Sequence, residues 1–339
     1  MPSIIQQIAE ALHVSSASVS RALNDKPGVG PELRQRILEK ARELNYTPSV
    51  TARGLATART FALGFFVREK PGLAAQTDPF YGEILHGVEQ VCARSDYHVA
   101  IATLTADILS KPAQFRFVRE GRVDGMILAG PDIPAEFIMA MLHTDLPVVL
   151  VDNRLDYQPV NCVNCDDTGG AARAAEYLLN LGHRRIGILA GPQTWPSNTR
   201  RVRGYRQILE EAGLPIHVIH MDRTTIDSGA EAYARLMEQH PEVTALCAVN
   251  DSMAIGAIQA AQAAGRRVPD DLSVIGFDNI EWARLNRPPL TTIDVPKHQI
   301  GKEAASRLLA LLEDSSLMPT EICVAVKLVE RDTCARPAG

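Results

Sequence analysis

Two groups of side chains in this 339-residue chain have the types and spacing to do chemistry. The first is crowded into "VSSASVSRALND", residues 14–25, where Ser15, Ser16, Ala17, Ser20 and Arg21 stand together. Small hydroxyl-bearing residues beside a guanidinium offer little to a core. They suit close approach to base edges in a DNA major groove, with the arginine forking onto guanine or a phosphate. The second group stands at the ends of apolar runs: Asp152 and Asn153 after "VVLV", Asn250 and Asp251 after "CAV", Asp278 and Asn279 after "VIGF". "DPFYGEI" adds Phe80 and Tyr81, and "SNTRRVRGY" adds Arg201. Carboxylates and amides backed by an aromatic face suit the hydroxyls of a sugar. Singly, each of these residues is as well explained as a loop cap or a surface charge. Their common place at strand ends makes them a candidate site.

The first group needs three short helices to position it. "IIQQIAEAL" carries Ile5, Ile8, Ala9 and Leu12 on one stripe behind a Ser3 cap. Ser15 caps a second helix running through Leu23, with Val19, Ala22 and Leu23 inward. "NDKPGVG" is a loop, and Pro31 opens a third helix with Leu33, Ile37, Leu38, Ala41 and Leu44 inward. A tight break between the first two helices is a helix-turn-helix layout, in which the start of the second helix enters the major groove. A plain three-helix bundle with a serine-rich surface fits the same pattern. After Pro48, "SVTARGLA" is long enough for one or two helical turns, too few to stand alone. With Arg53 basic and Leu55 exposed, it reads as a minor-groove wedge that folds on docking.

The second group needs strands. From Phe61 on, apolar runs such as "FALGFFV", "VDGMILAG", "RRIGILAG" and "LSVIGFDN" alternate with amphipathic helices such as "YGEILHGVEQVCARS". That alternation predicts an α/β body of parallel sheets covered on both faces, in two similar lobes. Ligands of such sheets collect at the carboxyl ends of the strands, where the polar residues stand. At 46% hydrophobic and 22% charged residues, the composition allows two or three globular domains. No apolar run is long enough to cross a bilayer, and "MPSIIQQIAEALH" lacks the order of a signal peptide, so a cytoplasmic protein is expected. Six cysteines make no disulfide framework in a chain of this length. "CVNC" has redox or zinc spacing but no second pair or nearby histidine, and it reads as a core strand; no metal and no cofactor are expected. Residues 1–60 hold eight basic and five acidic side chains, against a net charge of −5 for the whole. A basic head on an acidic body suits docking to phosphates, though a solvated helix face gives the same asymmetry.

"IAEALHVSSASVSRALNDKPGVGPELRQRILEKARELNYTPSVTARGLA" resembles the DNA-binding head and hinge of the LacI/GalR family of bacterial repressors. "LGHRRIGILAGP", "VNDSMAIGAI", "VPDDLSVIGFDN" and "PPLTTIDVP" resemble the effector-binding core of the same family, whose fold is that of periplasmic sugar-binding proteins. The resemblance implies that Ser16 and Ala17 read the operator, that Arg21 contacts a base or phosphate, and that Leu55 is the hinge leucine inserted between base pairs. It implies a pocket of Phe80, Tyr81, Asp152, Arg201, Asn250 and Asp278, with Arg201 and Asp278 on the effector's polar groups. Four positions depart from the family in the head: His13 replaces the tight-turn glycine, Leu12 an alanine, Ser49 the hinge-start asparagine and Gly54 a common serine. In the body, Thr224 stands where some members have an aromatic, which leaves Trp195 to compensate.

The resemblance further implies a helix-turn-helix domain over 1–48, a hinge helix and linker over 49–60, a first lobe of 61–157 with 290–317, and a second of 158–289 with 318–332. The crossings fall near Tyr157, Pro289 and Leu317, and the last strand, "EICVAVKLVERDT", returns to the second lobe. A homodimer on double-stranded operator DNA is expected, without a leucine-heptad tail, controlled by a mono- or oligosaccharide between the lobes. A purine-type corepressor or a phosphoprotein coregulator is the alternative within the family. A transported-solute receptor would need a signal peptide and no DNA head. For an enzyme the sequence lacks a G-x-G-x-x-G after the first strand, a phosphate-binding G-x-x-x-x-G-K-[ST] and a nucleophile elbow.

Overall fold

The computed structural model describes residues 3–23, 26–44, 46, 57, 59–70 and 74–337. The first helix, α1 (Ile4–Leu12), starts at Ser3, whose hydroxyl accepts from the Gln6 N–H while the Ser3 N–H donates to the Gln6 side chain. Two of the helix's free donors are satisfied reciprocally. The helix stops at His13, which takes the left-handed conformation at φ 54° and ψ 43°. The position that would favour glycine is therefore a true left-handed one, and histidine occupies it at a backbone cost. Ser15 then heads α2 (Ser16–Leu23), its hydroxyl accepting from the Ser18 N–H at 3.1 Å. The third helix, α3 (Pro31–Glu43), opens on proline. Ile8, Ala9, Val19, Ala22, Ile37 and Ala41 close a core among the three. Leu38, expected inward, is 36% exposed. Two neighbouring helices can cover only one stripe of α3; Ile37 and Ala41 fill it, and Leu38 lies a further 100° round.

Of the expected hinge, only Thr57, Arg59 and Thr60 are described; Arg53 and Leu55 lie outside the described residues. Arg59 donates to the Leu312 carbonyl at 2.9 Å. The carboxylate of Asp124 accepts from the Thr60 N–H and hydroxyl and from the Phe61 N–H at 2.7–2.9 Å. These bonds fix where the chain enters the body.

The body runs β1 (Ala62–Arg68), α4 (Tyr81–Arg94), β2 (His98–Leu104), β3 (Gly125–Ala129), α5 (Ala135–Leu142), β4 (Val148–Val151) and β5 (Cys162–Cys165). It continues α6 (Asp167–Asn180), β6 (Ile186–Ala190), α7 (Pro196–Glu211), β7 (His217–His220), α8 (Ile226–Gln239), β8 (Ala245–Ala248) and α9 (Asp251–Ala263). Then come β9 (Ser273–Asp278), β10 (Thr291–Asp294), α10 (Lys297–Glu313), β11 (Glu321–Val324) and β12 (Lys327–Val329), with short helical turns between. The strands form two six-stranded sheets, in the orders β11-β5-β4-β3-β1-β2 and β12-β10-β9-β8-β6-β7. All pairings are parallel except that of β12 with β10. Strands β3, β4, β8 and β9 are buried at every residue, as continuous apolar runs in doubly covered sheets must be. Helices α4 and α10 approach closely enough that a Cβ on Gly301 would lie 1.9 Å from the Ile84 carbonyl oxygen.

Sheet membership moves the crossings. β5, expected in the second lobe, pairs with β4 and β11 in the first sheet. β10, expected in the first, pairs with β9 in the second. The chain therefore crosses at 166, at 295–296 and at 325–326, each some way after the points expected from Tyr157, Pro289 and Leu317. "EICVAVKLVERDT" divides at the third crossing: "EICV" ends the first sheet, and "KLV" returns antiparallel to the second. "CVNC" is β5, with all four residues buried and both cysteines free. Among the described residues no helix is long and apolar enough to cross a membrane.

Candidate functional site

On α2, positions i, i+1, i+4 and i+5 share one face, which places Ser16, Ala17, Ser20 and Arg21 together. Ser16, Ala17 and Arg21 are exposed and Ser20 is half-buried, while Val19 and Ala22 anchor the opposite face. Ser15 is exposed at the helix start, its hydroxyl engaged by the Ser18 N–H and 2.9 Å from the Ser18 hydroxyl. Arg34 of α3 donates to the Lys26 carbonyl at 2.7 Å, holding the loop after α2 against the bundle. The result is a rigid helix with a small, hydroxyl-bearing outer face and one guanidinium.

The second site lies between the sheets. Phe80, Tyr81, Asp152, Arg201, Asn250 and Asp278 line one cavity, as do Trp195 and Thr224. Each comes from the carboxyl end of a strand or the start of the helix that follows, where parallel strands leave a crevice. Asn153 is the exception among the expected residues. Its amide donates to the Gly130 and Ile133 carbonyls at 2.7 and 3.3 Å, and its oxygen accepts from the Arg154 N–H. Just past the end of β4 the chain turns through left-handed backbone at Asp152, which faces the cleft, while Asn153 braces the loops behind it. The enclosed space is about 100 Å³, smaller than the roughly 300–1,000 Å³ of most small-molecule sites. A disaccharide would need the lobes to part; a compact ligand would need less.

Arg201 is the hub. It donates to Asp278 at 2.9 Å, to Asp167 at 2.8 Å and to the Val249 carbonyl at 2.6 Å, and its guanidinium lies 3.9 Å over the Phe277 ring. Burial alone would lower its pKa, but Asp278 and Asp167 hold it well above its ordinary value. Asp167 also receives Arg200, at 3.0 and 2.8 Å. The expectation omitted Asp167. Its signal was the doubled acid of "CDDTGG": Asp166 caps α6 through the Gly169 N–H, so a second acid buried beside it requires a cationic partner.

Across the cavity, Tyr81 donates to Asp152 at 3.0 Å, and Burial lifts Asp152 to a pKa of about 6 against the pull of Arg201. Burial also raises Asp278, again opposed by Arg201. Asp132, a further lining residue, is raised by burial despite Lys70. Lys70 itself pairs with Asp78 at 2.8 Å and sits 4.7 Å from the centre of the Tyr81 ring. Asp78 in turn accepts from the Phe80 and Tyr81 N–H groups, setting both aromatics at the head of α4. Asn250 is committed at both ends, its oxygen to the Met253 N–H that opens α9 and its amide to the Thr224 carbonyl.

Two of the cleft carboxylates stand on left-handed backbone, Asp152 at φ 55° and Asp278 at φ 111°. Such conformations are held by surrounding structure and cluster at functional positions. Behind Asp278, the buried ammonium of Lys297 donates to the Asp278, Asn279 and Val295 carbonyls at 2.8, 3.1 and 3.3 Å. Lys297 opens α10 of the first lobe, so it ties the second crossing to the floor of the cleft. The arrangement has hydroxyl acceptors, an aromatic wall and a fixed cation.

The chain matches two family models. "Bacterial regulatory proteins, lacI family" covers residues 4–49, and "Periplasmic binding proteins and sugar binding domain of LacI family" covers residues 61–331. It is 33% identical over 309 residues to the HTH-type transcriptional regulator DegA of Bacillus subtilis (strain 168), covering 89% of each chain. It is 32% identical to the ribose operon repressor of Haemophilus influenzae, covering 91% of this chain and 92% of that one. Among solved structures, a lac repressor dimer bound to operator and the anti-inducer ONPF superposes with a TM-score of 0.81 at 26% identity, over 99% of this chain and 100% of the other. The complex of the transcriptional regulator CelR with cellobiose superposes at 0.72 and 27% identity, over 98% and 100%.

Proposed function

The chain belongs to the LacI family of bacterial regulatory proteins and is a DNA-binding transcriptional regulator, and from that premise we propose that a small sugar held between its lobes sets its affinity for an operator. In this reading Ser16 and Ala17 lie against base edges and Arg21 reaches a guanine or a phosphate, with Ser15 and Ser20 beside them. Arg53 and Leu55 belong to the hinge between head and body, with Leu55 as the minor-groove wedge. Asp152 and Asp278 accept from sugar hydroxyls, Arg201 donates to a ring or hydroxyl oxygen, Asn250 shapes the wall, and Phe80 and Tyr81 cover an apolar face. Asn153 acts behind Asp152 and not on the ligand. The observation that carries the proposal is the convergence of six expected residues, from both lobes, on one cavity.

Two copies on a near-palindromic operator follow from the two-fold logic of helix-turn-helix proteins. The ligand controls the protein only if it binds one lobe arrangement better than the other. A cleft that closes on its ligand and ties its floor to the crossing through Lys297 suits that role, and we infer that the ligand is returned unchanged. A purine remains the second reading, because two aromatic side chains, Phe80 and Trp195, line the same cavity. Isothermal titration of the whole protein with a panel of monosaccharides, disaccharides and purines tests the site. One sugar should bind, and Asp278→Asn should weaken it at least about tenfold, as loss of a charge-assisted hydrogen bond does. A purine binding alone, or a sugar binding equally well to Asp278→Asn, would overturn the assignment.

A further inference from the structure

At the other end of the second lobe, away from the cleft, three ligating side chains meet. His217 is the first residue of β7, the edge strand of the second sheet. His240 ends α8, and Glu242 follows it in the short link to β8. The two imidazole centroids are 3.7 Å apart, and the Glu242 carboxylate reaches to 3.6 Å from Nδ1 of His240. One ligand atom from each of the three lies within 4.8 Å of the others. The backbone beneath them is fixed. The His217 position is registered against Gly187 of β6, the His240 N–H donates to the Leu236 carbonyl at 2.7 Å, and the Val243 N–H donates to the His240 carbonyl at 3.2 Å. Among the described residues, neither imidazole forms a hydrogen bond.

Two imidazoles in contact, with a carboxylate beside them, form a poor hydrophobic patch and a good ligand set. Bonds of about 2.0–2.2 Å to zinc require ligand atoms no more than roughly 4 Å apart, which small side-chain rotations supply here. Two histidines and one carboxylate are a donor set for zinc and for its neighbours nickel and copper, and not for calcium or magnesium. We propose that His217, His240 and Glu242 bind one divalent transition-metal ion of the zinc class, with the remaining coordination position open to water. The ion clips the edge strand β7 to the end of α8, at the amino ends of the strands. The effector cleft lies at the opposite, carboxyl ends, so the ion stabilises the second lobe without entering the sugar site.

The test is calorimetric titration of the full, untagged chain with zinc sulfate, repeated with His217→Asn, His240→Asn and Glu242→Gln. Cobalt absorption in the visible gives an independent reading of coordination. One ion per chain is expected, with a zinc-dependent rise in melting temperature. Affinity should fall more than about tenfold in either histidine variant and in Glu242→Gln, where a neutral amide replaces a charged carboxylate ligand. Circular dichroism of each variant confirms that it is folded. No zinc binding by the wild type, or binding of one ion that survives in the folded His217→Asn and His240→Asn variants, would overturn the site.

Discussion

Asp152 shows how much one side chain can report about this cleft. Burial raises its pKa from 3.8 to about 6. A carboxyl that holds its proton more tightly folded than unfolded loses stability to ionisation as the pH climbs from about 4 through 6, a penalty of at most about 3 kcal/mol. Asp152→Asn should therefore match the wild type in urea unfolding near pH 4 and exceed it above pH 7. The same titration bears on ligand binding: a sugar hydroxyl donating to Asp152 prefers the carboxylate, so sugar affinity should fall as pH drops below 6, and that dependence should weaken in Asp152→Asn, with Asp278, also raised by burial, supplying the remainder. On the head, Arg21→Ala should cost operator binding about 1–3 kcal/mol, measured by anisotropy at fixed salt. At this scale the sequence was informative where a residue's neighbours in the chain settled its direction. Asp152 and Asn153 looked equivalent in one dimension, and only the left-handed turn after β4 separated them. Asp167 and the His217–His240–Glu242 cluster depended on partners brought together by the fold, which no local spacing displays.

The elements of the head were legible nearly to the residue, because caps are local chemistry. Ser3, Ser15 and Pro31 each start the helix their types demand, and His13 occupies the left-handed turn expected of a glycine. That gives a clean prediction: His13→Gly should stabilise the head by about 0.5–1 kcal/mol, read from thermal unfolding of the whole protein, because it relieves left-handed strain. Ser15→Ala should destabilise it by about 1 kcal/mol through loss of the cap. In the body the strands were legible as apolar runs, but their sheets were not. "CVNC" is buried on both faces and suits either sheet; its pairing with β4 and β11 is decided by long-range contacts, and the crossings move with it. Leu38 fails for a related reason: an apolar residue beside the buried stripe is indistinguishable from one within it until the neighbouring helices are in place.

At the scale of the molecule, a head that can read DNA is joined to a body whose lobes meet over a cavity, and among the described residues the backbone crosses between the lobes three times. Lys297 stands at one of them and holds the Asp278 and Asn279 carbonyls, which ties the cleft floor to the place where the lobes join. The fold class and the two-lobed plan were legible from alternation alone, since parallel strands and covering helices impose it on the sequence. The small volume of the cleft was not, because it depends on packed surfaces and not on a pattern. The most direct test of the whole account is operator binding by fluorescence anisotropy at fixed salt, with and without the sugar that calorimetry identifies. The account predicts that the sugar shifts the operator midpoint and that Asp278→Asn, still bound to DNA, no longer responds. A sugar that fills the cleft yet leaves the operator midpoint unmoved would contradict it.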